Sequence, residues 1–168
     1  MLSTLKNRDF LKLWLAQLVS RLGDGIHEIV LAWLVLELTG SALSMGAILA
    51  VSITPNLLFG LPAGVIVDRF NRKHIMVIAD FLRTVIVLVI PIAYISGTLE
   101  LWMIFAVAFL TSTAEAFAGP ARLSSIPNLV EEENLDPANS LVQITKGVSS
   151  LFGLSLGGAV VAIFGPAR

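Results

Sequence analysis

Cysteine is absent from the 168-residue chain, which excludes disulfides and thiolate metal sites. Charge is scarce as well. Asp, Glu, Lys and Arg make up 14% of the residues and hydrophobic residues 56%, against about 25% charged in ordinary soluble domains. The mean hydropathy is +0.87. A soluble core of this length could not hide that much apolar surface, so the composition points to a membrane. A net charge of −1 is silent about partners. No phosphate-binding loop, HExxH or Gly-x-Ser-x-Gly occurs, and the acidic stretch near residue 131 lacks metal-ligand spacing. Nothing therefore predicts an enzyme, a cofactor or a metal, and without a basic patch nothing predicts a nucleic-acid partner. A secretory signal is not evident either: Arg21 and Asp24 interrupt the first apolar run and no small-residue cleavage site follows it. The start reads as mature sequence.

What the chain does have is long apolar runs. A bilayer core needs about 20 apolar residues per helix. Five segments are expected to span: 11–38, 43–67, 75–95, 99–118 and 138–164. Backbone groups in lipid must be paired within the segment, which selects helices, and runs such as TVIVLVIPIAYI lack the alternation of a barrel strand. Thr39-Gly40-Ser41 and Ser96-Gly97-Thr98 read as tight turns, with Ser41 a helix cap. The acidic LVEEENLDPANS has room for a short surface helix, and Asp136-Pro137 resembles a helix start. Pro55, Pro62, Pro91 and Pro120 can bend the spans or end them. The repeated GPAR at 119–122 and 165–168 is too short to count as an internal repeat.

Lys and Arg set the expected orientation. Lys6 and Arg8 precede the first span and Lys12 opens it, Arg69, Arg72 and Lys73 lie between the second and third, and Arg122 follows the fourth. The turns at 39–41 and 96–98 carry no cation. The N-terminus and the 68–73 and 122–137 loops are therefore expected in the cytoplasm. Five spans leave the chain on the far side, where a returning helix is expected, so the bundle reads as incomplete.

The stretch GVIVDRFNRKH, residues 64–74, contains Asp68, which ends a run of thirty residues, 38–67, with no Asp, Glu, Lys or Arg. Positive-inside anchoring explains its cations. It does not explain Gly64 one turn before Asp68, an acid at the end of a span. Gly64 is expected to admit a close neighbouring helix, and Asn71 suits a left-handed turn. These residues resemble the loop between helices 2 and 3 of the major facilitator superfamily, Gly-x-x-x-Asp-Arg-x-Gly-Arg-Arg/Lys, at Gly64, Asp68, Arg69, Arg72 and Lys73, with Asn71 in place of the usual Gly. NRDFLKLWLAQLVSRLGDG, FAGPARLSSIPNLV and LDPANSL resemble the drug- and siderophore-exporter branch. The resemblance covers nearly the whole chain but less than half of a twelve-helix member. It implies that the loop is a conformational latch, in which Asp68 caps a helix of the other half and Arg72 is held by an intramembrane acid, Glu115 or Asp80.

Ionisable groups at membrane depth are functional hypotheses by default. At 100° per residue, Gln17, Arg21, Asp24 and Glu28 share about one-sixth of the helix circumference. Burial disfavours a charged carboxylate and a nearby guanidinium favours it. Asp24 with Arg21 therefore fits a proton-coupling or substrate-cation site, or equally a structural pair one turn apart. His27 points away from this stripe, and Glu37 reads as interfacial. Glu115 could face Asp24 or hold Arg72, the latter being favoured by its place toward the cytoplasmic end. Asp80 and Arg83, one turn apart, fit a simple pair. Lys146, on one face with Gln143 and Ser150, fits snorkelling to the cytoplasmic side, with cavity lining the second reading. Ser149, Gly153 and Gly157, with Gly158 beside them, form a small-residue seam for helix packing. The exporters' Gly-Pro signature is matched only in part, because Leu154 stands where Pro is usual.

The fold class expected is an all-α integral membrane protein, a bundle of about five transmembrane helices forming an incomplete N-terminal half of a facilitator-type fold. The resemblance implies efflux of small amphipathic molecules by alternating access with proton antiport, as in multidrug resistance, from a multi-pass position in the cell membrane. Implied partners are the lipid bilayer, a small-molecule substrate, protons, and a complementary half or a second copy. The competing expectation is a truncated membrane protein that no longer transports and only packs with other helices.

Overall fold

The computed structural model describes residues 7–164, Phe164 by its backbone alone; Lys6 and the second GPAR, 165–168, lie outside the described residues. Among the described residues six α-helices follow one another: α1 (Arg8–Thr39), α2 (Ala42–Arg69), α3 (Arg72–Val87), α4 (Val89–Ile95), α5 (Leu101–Ser125) and α6 (Leu135–Phe164). Single 3-10 turns occupy Ile126–Asn128 and Glu132–Asn134, the second of them in the acidic stretch expected to hold a short surface helix.

Local chemistry explains the boundaries. Gly40 and Gly97 take the left-handed backbone, φ 64° and 68°, in the two expected tight turns. A side chain would be strained at such angles. Ser41 caps α2 by accepting from the Ser44 amide at 3.3 Å. At the other turn, the Thr98 and Gly97 amides donate to the carbonyls of Ala93 and Tyr94, which closes α4. The third expected span is broken into α3 and α4 at Leu88. Pro91 is the cause: it has no N–H to give Val87, and its ring crowds that carbonyl four residues back.

Four stretches, Ala42–Arg69, Arg72–Ile95, Leu101–Asn128 and Glu132–Ile163, are long and apolar enough to cross a membrane. The first expected span is not among them. Its helix α1 has 32 residues, or about 48 Å at 1.5 Å per residue. Length is ample; the charges Arg21, Asp24 and Glu28 in its middle set it apart.

The chain divides into two compact units, one made of residues up to Trp33 and from Ser125 onward, the other of Leu34–Ser124. In the first, α1 and α6 run side by side in the same direction. The Trp14 indole N–H donates to Thr145 Oγ1 at 2.8 Å, and farther along Gly25 meets Gly153 and Ile29 meets Gly157. At its start, Phe10 is fully buried with Ile126 and Ala138, and Trp14, Leu129, Val130 and Leu135 pack around them. Burying such a phenylalanine stabilises by about 1.5–3 kcal/mol. Asn7 fastens the same corner: its Oδ1 accepts the Asp9 and Phe10 amides, and its Nδ2 donates to the Leu129 carbonyl at 2.6 Å. In the second unit, Ile48, Pro55, Ala63 and Val67 form the buried face of α2, and Ile104, Val107, Ala108, Ala116, Ala118 and Ala121 that of α5.

Candidate functional site

The α2–α3 loop is ordered by its own side chains. Asn71 is extended, φ −67° and ψ 112°, and caps α3; its side chain accepts from the Lys73 and His74 amides. The sequence reading gave Asn71 a left-handed turn. No non-glycine residue among those described has positive φ. The carboxamide oxygen is instead taken up by the orphan amides of the first helical turn. Arg69 and Lys73 are exposed and Arg72 is half-buried.

Among the described residues, Arg72 reaches no acid. Its Nη1 donates to the carbonyl oxygen of Ser124 at 2.6 Å. Ser124 is in the last turn of α5, where carbonyls lack helical partners and the helix dipole is negative, so the guanidinium caps that end. The acids expected for Arg72 are bound elsewhere. Arg122 Nη1 donates to Glu115 Oε1 at 2.8 Å and Oε2 at 2.9 Å, and Arg122 Nη2 to Asp80 Oδ1 at 2.8 Å. Arg83 Nη1 donates to Glu115 Oε2 at 3.1 Å. The expected Asp80–Arg83 pair is thus replaced by a chain of alternating sign, Asp80–Arg122–Glu115–Arg83, that ties α3 to α5.

Burial grades this chain. The Arg122 side chain is 6% exposed, Arg83 16%, Glu115 19% and Asp80 52%. Two cations and two anions cancel, which lets the group sit below the surface of an apolar bundle. Glu115 and Arg122 are seven residues apart, two turns on one helix face. Gly119 lies between them, and a Cβ there would come to 3.8 Å from Glu115 Oε1. The sequence reading missed Arg83 and Arg122 as the partners of Glu115. The seven-residue spacing was the available signal for Arg122. For Arg83 there was none, because its partner is on another helix.

Two other members of the loop motif touch nothing that explains them. A Cβ built on Gly64 meets no atom within 4 Å, so the close helix approach expected there is not made among the described residues. Asp68 is exposed, and among the described residues none bonds its carboxylate.

On α1, Gln17, Arg21 and Asp24 are half-buried and Glu28 is exposed. Arg21 and Asp24 are both engaged in polar contacts. The glycines flanking Asp24 differ. Gly23 has open space, whereas a Cβ on Gly25 would lie 2.8 Å from the Gly153 Cα. Gly25 is thus half of a helix crossing that the sequence reading placed on α6 alone. Gly153 and Gly157 do form the seam, the latter with a built Cβ 2.9 Å from Ile29 Cβ, and Ser149 is 1% exposed on it. Gly158 meets nothing and is not part of it. Lys146, Gln143 and Ser150 are all exposed.

Comparison with known proteins follows the same lines. A family model described as transmembrane secretion effector matches residues 1–168. Macrolide efflux protein A of Streptococcus pyogenes is 32% identical over 140 residues, covering 83% of this chain and 35% of that protein. An uncharacterized MFS-type transporter of Bacillus subtilis, YfiS, is 30% identical over 158 residues, 94% of this chain and 37% of its own. The multidrug efflux pump Tap of Mycobacterium tuberculosis is 28% identical over 156 residues, 89% and 37% respectively. The chain therefore spans little more than a third of the length of these relatives. No solved structure matches it.

Proposed function

The chain belongs to the major facilitator superfamily, in its transmembrane secretion effector family, and on that premise we propose that it forms the N-terminal helices of a proton-coupled exporter of small amphipathic molecules. The observation that carries the reading is the match over the whole chain, together with relatives named for macrolide and multidrug efflux. Further helices, from a longer chain or a partner half, complete the transport path. The membrane is the cell membrane, with the N-terminus and the α2–α3 loop on the cytoplasmic side, since Arg69, Arg72 and Lys73 cluster at that end.

Transport proceeds by alternating access around a site near the membrane midplane. Asp24 takes up and releases the coupling proton, with Arg21 three residues before it setting the local field. The α2–α3 loop works as a latch. Asn71 and Arg72 hold the loop against the ends of α3 and α5, and the Asp80–Arg122–Glu115–Arg83 chain keeps those two helices in register. Gly64 and Asp68 then present an open backbone and a free carboxylate to helices outside this chain.

Accumulation of radiolabelled erythromycin in cells lacking their own macrolide exporters tests the proposal. Expression of the protein should lower accumulation several-fold, and a protonophore should restore it. Asp24→Asn, at equal membrane abundance, should abolish the difference. Equal accumulation with and without the wild-type protein would sink the efflux reading. An Asp24→Asn variant that exports normally would remove only the coupling role.

A further inference from the structure

Asn56 lies in the middle of α2, about 20 Å from either helix end at 1.5 Å per residue. It is exposed, and among the described residues none hydrogen-bonds its carboxamide. An unpaired amide in hydrocarbon is costly, so exposure there demands an explanation. The direction in which Asn56 leaves the helix supplies one. At 100° per residue it lies within about 20° of Ala63 and Val67, which are 0% and 2% exposed. Leu43 and Leu61 lie about 140° away and are 84% and 89% exposed, as lipid-facing residues are. Asn56 therefore projects from the packed face of α2, not from its lipid face. The packing that covers Ala63 and Val67 gives way at the level of Asn56.

One turn farther on, about 60° around the helix from Asn56, stands Phe59. Its ring is tilted 30° against that of Phe117 on α5, with centroids 6.1 Å apart. Both rings are half-buried. An amide that can donate and accept, about 4.5 Å along the helix axis from an aromatic pair, is the pattern of a small-molecule site: apolar walls with a few placed polar groups.

We propose that Asn56, with Phe59 and Phe117, forms a subsite for an amphipathic small molecule, the amide binding a ligand hydroxyl, carbonyl or amine and the rings packing on its apolar face. The subsite rests on the efflux reading for its place in a transport cycle, but its occupancy is measured without transport. The described chain has no native cysteine, so a single thiol can report on water. In sealed vesicles of both orientations from cells expressing the protein at its natural length, with any cysteine outside this segment replaced by serine, Asn56→Cys should react with a membrane-impermeant maleimide. Leu61→Cys, at equal abundance, should not. Erythromycin should slow the Asn56→Cys reaction at least threefold, and adding Phe59→Ala should relieve most of that protection. Asn56→Cys as unreactive as Leu61→Cys would overturn the opening, and would mean that lipid or another helix covers it. A labelling rate unchanged by erythromycin would overturn the subsite. Erythromycin accumulation by the same cells decides the efflux reading separately: protection without efflux leaves the site standing, and efflux without protection removes it.

Discussion

Arg122 stands three residues from the end of α5, where an arginine ordinarily extends outward to the membrane interface. Here it turns back along its own helix, 6% exposed, and binds Glu115 and Asp80 together. Glu115 is held in turn by Arg83. Removing a partner from a buried pair strands a charge, at a cost of about 3–5 kcal/mol, while an exposed pair contributes about 0–1 kcal/mol. The exposures rank the outcomes: Glu115→Ala takes their shared carboxylate from two largely buried guanidinium groups, leaving Arg122 with the half-exposed Asp80, and should lower the melting temperature in detergent steeply. Asp80→Ala, removing a carboxylate that is 52% exposed, should lower it little. Equal losses would show that the chain of charges is not graded by burial. Asn71 gives a second test. As a cap in extended backbone it gains nothing from replacement by glycine, so Asn71→Asp should be near neutral, Asn71→Gly slightly destabilising and Asn71→Ala destabilising by about 1 kcal/mol. A stabilising glycine, followed by the same melts, would restore the left-handed turn.

Between helices, backbone proximity decides what each glycine does. A Cβ on Gly153 would sit 2.9 Å from the Gly25 Cα and 3.1 Å from the Leu22 carbonyl, both backbone atoms that can move only with their helix. One on Gly158, five residues on, would meet nothing. Glycine to alanine in a helix gains about 1 kcal/mol of propensity, and overpacking typically costs about 1–3 kcal/mol. Gly158→Ala should therefore be neutral or stabilising, and Gly153→Ala destabilising; unfolding in mixed micelles would separate them, and equal effects would refute the crossing. These contacts also mark where the sequence stopped being legible. The helices, the glycine turns and the Ser41 cap were readable because each is encoded within a few neighbouring residues. The Gly25–Gly153 crossing, the Arg83–Glu115 pair and the Arg72–Ser124 cap join positions 128, 32 and 52 residues apart. No local pattern states which of several acids or carbonyls a given arginine will reach. The break at Leu88 lay between these cases, since Pro91 announced a bend without saying whether the helix would stop.

At the scale of the whole molecule, the loop motif has two kinds of residue. Asn71, Arg72 and their neighbours on α3 and α5 are satisfied inside the chain. Gly64 and Asp68 are not: one has open space where a side chain would be, the other an exposed carboxylate. If both serve a partner segment that closes during transport, their substitution should affect the cycle and spare the fold. Gly64→Ala is the sharper probe. Its Cβ meets nothing within 4 Å in this chain, and alanine favours the helix by about 1 kcal/mol, so melting temperature and membrane abundance should hold or rise. A helix docking against that backbone would collide with the new methyl group, and erythromycin efflux should fall by about tenfold, which corresponds to roughly 1.4 kcal/mol lost from the closed state. Gly153→Ala should show the opposite signature, lost stability with efflux falling only in step with abundance. A Gly64→Ala protein that is stable and exports at the wild-type rate would mean that no helix closes on this face, and the latch would then have to rest on Asp68 alone.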